Sequence, residues 1–144
     1  VAAELPRPDP DILEAFARAG RAATVWVAVA PRKLGLPAIK GNDPLGPAIV
    51  GIHKEARAVA GAVNVGGTLN AAFTFVCHDE EAAVRLMRLF HGYKFLAGLA
   101  ELGTPRGDHL KRVWLKAAGS ATITRSKALV AVRSDVFPAM LAAK

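Results

Sequence analysis

Twice in this chain, two strand-like runs joined by a short turn lead straight into a capped helix. The first copy covers residues 59–76, turns at Gly66-Gly67 and enters a helix after Asp79. The second covers residues 121–132, turns at Arg125-Ser126-Lys127 and enters a helix after Ser134. In the first copy Leu69, Ala71, Phe73 and Phe75 alternate with Asn70, Ala72, Thr74 and Val76. A period of two places the first set on one sheet face, so Phe73 and Phe75 are expected to point into the core. Gly66-Gly67 tolerates the positive φ values that a tight turn demands. A carboxylate at Asp79 can accept from the first free helical N–H groups, and Glu80-Glu81 complement the helix dipole. An isolated hairpin is marginal in water, and the helix that follows is the natural cover for its apolar face. The repeated unit predicts a two-layer α+β domain with a mainly antiparallel sheet and helices packed on one face.

The remaining elements follow from local signals. Residues 1–8 carry Pro6 and Pro8 without periodicity and read as an extended N-terminal arm, leaving residues 9–144 as a single α+β domain. Asp9 caps a helix with Pro10 at its first position, where the missing N–H costs nothing. Residues 24–29 are β-formers stopped by Pro31. Both faces of that run are apolar, which predicts a central strand or one covered on two sides. Four prolines and three glycines make residues 31–47 a long connection, with Leu34, Leu36 and Ile39 pinning it to the core. A helix over 45–56 turns Ile49, Ile52 and Ala56 inward. The helix after Asp79 extends to Leu102 and stops at Gly103, with Ala83, Leu86, Phe90, Tyr93, Ala97 and Ala100 as its buried stripe. Gly92 and Gly98 weaken it and suit close contact with another backbone. Thr104-Pro105 opens a further helix bearing Leu110, Val113 and Trp114. A short terminal helix with Val136, Phe137, Met140 and Leu141 completes about five strands and five helices. The expected core brings Trp26, Phe73, Phe75, Leu86 and Phe90 together.

No residue pattern predicts catalysis, a cofactor or a metal. Cys77-His78-Asp79 places three reactive types side by side. A nucleophilic cysteine needs its histidine within hydrogen-bond reach, yet strand neighbours point to opposite faces. His53, His78, His91 and His109 lack the three-to-five-residue spacing of ligands on one helix face. The glycines of residues 61–67 precede a strand rather than a helix and lack a following Lys-Ser/Thr, so they mark a hairpin turn and not a phosphate loop. Glu80 and Glu81, like Asp9 and Asp11, sit where any helix start welcomes a carboxylate. Cys77 is the only cysteine, which excludes an internal disulfide. No apolar run approaches the roughly 20 residues of a membrane span.

Charge is what remains to suggest a partner. Residues 1–81 hold eight Lys/Arg against nine Asp/Glu, whereas residues 82–144 hold eleven against Glu101, Asp108 and Asp135, for a net +7. The basic half offers Arg85, Arg88 and Lys94 on the long helix and Lys111, Arg112 and Lys116 on the next as a face for an anionic surface. The functional expectation is a non-enzymatic domain that contacts a protein partner or anionic surface through its helical face. The start at Val1 rather than Met and the Ala/Val/Leu/Arg-rich texture lead to the expectation of a bacterial exported or envelope protein, periplasmic or extracellular. The alternative is a nucleic-acid-binding α+β domain using the basic half.

Overall fold

The computed structural model describes residues 9–19, 25–36, 39, 41, 43–65 and 69–136. The elements run α1 (Pro10–Ala19), β1 (Val25–Val29), α2 (Pro31–Leu34), α3 (Gly46–Glu55), β2 (Ala56–Val65), β3 (Leu69–Cys77), α4 (Glu80–Gly103), α5 (His109–Gly119), β4 (Thr122–Ser126) and β5 (Leu129–Val136). The expected hairpins are β2–β3 and β4–β5. They join through β3 and β5 into one five-stranded sheet of order β1-β2-β3-β5-β4, every neighbouring pair antiparallel.

Register sorts the side chains into two faces. One face carries the row Val27, Gly61, Phe73, Val132 and Ile123 across all five strands. Beside it Phe75 and Val130 pack with Leu86, Ala82 and Ala83 of α4, and Ile52 of α3 closes the cluster. The rings of Phe75 and Phe90 lie 4.8 Å apart at 52°, a tilted aromatic pair. Gly61 leaves room for its cross-strand neighbour, since a Cβ there would come within 2.9 Å of the Phe73 ring and the ring would have to shift. The long helix begins as the sequence predicts: the Asp79 side chain accepts from the Ala82 N–H at 2.7 Å. The close backbone contact expected at Gly92 and Gly98 is governed instead by Gly119, since a Cβ on Gly92 or Gly98 would meet nothing within 4 Å. A Cβ on Gly119 of α5 would lie 3.3 Å from the Gly98 backbone, so these two helices meet through glycines.

The helical layer on the Phe75 face is α3, α4 and α5, and α1 adds cover to the opposite face. There Ala15 is buried on Ala58, Ala60 and Val76, with Ala28 and Leu129 around it. Small residues on the strands let the α1 backbone come close. Two ion pairs anchor it, Arg57–Asp11 at 3.3 Å and Lys33–Asp9 at 2.8 Å. An Ala60→Leu variant should lose about 1–3 kcal/mol by overpacking under α1, read as a lower urea midpoint. An unchanged midpoint would show that α1 is free to lift.

Three expectations are corrected by the tertiary arrangement. β1 is an edge strand, not a central one, and Val25 and Val27 are 61% and 57% exposed. Trp26 and Phe73 are not core residues, at 52% and 41% exposed, while Phe75 and Leu86 are buried and Phe90 partly so. Ser134 does not cap a helix. β5 continues through Val136, and the Ser134 hydroxyl donates to the Ala117 carbonyl of α5 at 2.8 Å. The N-terminal arm, the Gly66-Gly67 turn and the terminal helix beyond Val136 lie outside the described residues. The long connection contains the short helix α2, which starts at Pro31.

Candidate functional site

Between the sheet and its helical layer the core is incomplete. Two cavities of about 640 Å³ and about 530 Å³ share Phe73 and Phe75 as their floor. The first is walled by β1 and α2 (Val29, Leu34, Leu36) and by Ile49, Ile52 and His53 of α3. The second takes Leu45 and Ala48 from the start of α3, Lys94 and Ala97 from α4, and Ile123 and Val132 from the sheet. The cleft follows from the edge position of β1. Its Val27 and Val29 belong to the same face as Phe73 and Phe75, but α2 and α3 only partly roof that row. The Tyr93 hydroxyl braces the junction by donating to the Pro44 carbonyl at 2.8 Å.

A second apolar feature lies on the outside. Phe95, Leu99 and Leu102 recur at i, i+4 and i+7 along α4, and each is more than half exposed, Leu102 at 85%. Leu110 and Trp114 repeat the i, i+4 spacing on α5, again exposed. The buried residues of α4 are Ala82, Ala83 and Leu86 in its first turns; farther along, Tyr93 and Ala97 on that side are only partly covered and Ala100 is exposed, so the C-terminal half of this helix is apolar nearly all round without being buried.

The basic residues singled out from the sequence are dispersed. Arg85 makes a bidentate pair with Glu55, at 2.9 and 3.1 Å, and approaches Glu81 at 3.7 Å. Glu55 is buried, and the guanidinium beside it holds its carboxyl below the usual range despite that burial. Arg88 is exposed. Lys94 is nine residues beyond Arg85, two and a half turns, and so stands on the opposite side of α4, half-buried in the wall of the second cavity. On α5, Lys111 and Lys116 are exposed and Arg112 is half-buried.

Cys77 is wholly buried in the main cluster. Burial pushes its thiol up to about 11, with the negative charges of Glu55 and Asp79 adding to the effect. A thiolate is the reactive form, so iodoacetamide at neutral pH should leave the folded protein unmodified and label Cys77 only after denaturation. Rapid labelling of the native protein would contradict this placement. Among the described residues no three His, Cys, Asp or Glu side chains gather as metal ligands, and no helix is long and apolar enough to cross a membrane.

Sequence reasoning missed both apolar features. The outer stripe of α4 was legible, since Phe95, Leu99 and Leu102 form a second helical series offset from Leu86, Phe90, Tyr93 and Ala97. The cleft had no local signature, because its walls come from β1, α2, α3, α4 and the far hairpin. The fold and cleft together define the class: an α+β domain with a five-stranded antiparallel sheet and an apolar space beneath its helices. No protein-family model, curated protein or solved structure matches the chain.

Proposed function

We propose that this is a non-enzymatic binding domain that contacts a protein partner through its helical layer. The observation that supports it is the outward apolar stripe of Phe95, Leu99 and Leu102 on α4, with Leu110 and Trp114 likewise exposed on α5. Contiguous apolar surface rimmed by polar residues is costly in water and typifies protein contact sites. Exposed i, i+4, i+7 anchors are the pattern by which one helix docks in a partner's groove or on a partner's helix. The exported bacterial setting expected from composition belongs to the same proposal, and fractionation of the source cells tests it.

A photo-crosslinking residue at position 99, expressed in the native host, should join the domain to one defined protein. The same residue at Thr124, on the opposite sheet face, should not, and Phe95→Asp should remove the crosslink from position 99. Equal crosslinking from both positions, or none from position 99, would overturn the reading. The nucleic-acid alternative rests on charge, and its expected signature is a salt-sensitive mobility shift on random DNA that depends on Lys111 and Lys116.

A further inference from the structure

We propose that the cleft under α3 is a binding site for a single-chain amphiphile with an anionic head, of the long-chain fatty acid class. Each lobe falls within the roughly 300–1,000 Å³ of ordinary small-molecule sites. Their linings are apolar almost throughout. Water in such a space lacks the two to four polar partners that hold a buried water, so the cleft favours a hydrocarbon occupant.

The polar groups decide where a head would lie. Among the described residues the single polar side chain of the first lobe is His53, and its Nε2 is out of reach of solvent. In the second the polar side chains are Tyr93 and Lys94, and the Tyr93 hydroxyl is committed to the Pro44 carbonyl. Lys94 has no ion-pair partner among the described residues, unlike Arg85, Arg57 and Lys33. Lys94 lines the second lobe and is the one lysine, arginine or carboxylate in either lining among the described residues. A carboxylate paired with Lys94 leaves the chain to run over Phe73 and Phe75 into the lobe beneath α2 and α3. The two lobes have Phe73 and Phe75 in common, and an occupant that reaches both must bend over these rings, which suits a flexible alkyl chain over a rigid ring system. Lys94 also borders the groove beside Phe95 and Leu99, so the head end of this site adjoins the outer stripe of α4, whereas the two lobes are lined without Phe95, Leu99 or Leu102.

The experiment uses the whole chain and a fluorescent fatty acid, 11-(dansylamino)undecanoic acid, displaced by palmitate, hexadecanol or hexadecyltrimethylammonium below their micelle concentrations. Palmitate should compete best. Hexadecanol should be weaker by about fivefold, since a partly exposed ion pair is worth up to about 1 kcal/mol. The cationic amphiphile should be weakest. Lys94→Gln should erase the preference for the acid while leaving hexadecanol unaffected. Ala97→Phe, which fills the second lobe, should abolish displacement, with a urea midpoint confirming that each variant is folded. Absence of probe binding, equal competition by acid and alcohol, or full binding by folded Ala97→Phe would each overturn the proposal. If Ala97→Phe does not fold, Ile123→Phe serves as the blocking variant under the same criteria.

Discussion

Phe75→Ala should lower the free energy of unfolding by about 3–5 kcal/mol, a large share of the roughly 5–15 kcal/mol that holds a domain folded. The side chain sits at the centre of the main cluster, stacked against Phe90 and flanked by Val130 and Leu86. Removing the ring takes away its transfer free energy and leaves a void that neighbours held by two strands cannot fill. Phe73→Ala is the matched control. It is two residues along the same strand and face, but 41% exposed at the floor of the cleft, so its loss should be clearly smaller. Urea denaturation of both variants checks the comparison. Equal losses would mean that the helical layer closes over Phe73 more tightly than the cleft allows.

The second large effect belongs to Glu55 and Arg85. Glu55 ends α3, with its carboxylate buried against α4, and Arg85 reaches it with two hydrogen bonds. Arg85→Glu should lower the urea midpoint at neutral pH substantially, because it removes the partner of a buried carboxylate and sets a like charge beside it. From sequence alone Arg85 reads as an exposed helix position tolerant of charge reversal; the pair with Glu55 is why that expectation does not carry over. The pH dependence has a definite sign. The folded-state carboxyl of Glu55 is depressed below its unfolded value. Its contribution is therefore complete above the ordinary carboxylate range and is lost as pH falls through the depressed value. Glu55→Gln should be less stable at neutral pH and should lack that part of the acid-induced loss. A wild-type and Glu55→Gln pair with parallel stability–pH curves would refute the assignment.

Phe75 was assignable to the core from strand alternation, since its face is set by a period of two within a single hairpin arm. Phe73 shares that alternation and yet lies at a cleft floor, because the cover above it depends on where α3 and α4 end. Glu55 and Arg85 are thirty residues apart, and nothing in either local pattern connects them. The six basic residues illustrate the same limit. Sequence places Arg85, Arg88 and Lys94 on one exposed side of the long helix, whereas rotation along α4 puts Arg85 and Lys94 on opposite sides.

By itself the sequence determined the parts whose signals are short-ranged: both hairpins, the Asp79 cap and the long helix ending at Gly103. Each depends on backbone geometry and side-chain spacing within a few turns or one tight loop. The tertiary structure alone decided that β1 is an edge, that α1 covers the second face, that Ser134 bonds to α5 instead of capping a helix, and that an apolar cleft remains under α3. Strand order is set by which apolar faces bury most area together once distant segments meet. That balance is summed over the whole domain, and an apolar strand such as residues 25–29 carries the same local pattern at a sheet's centre as at its edge.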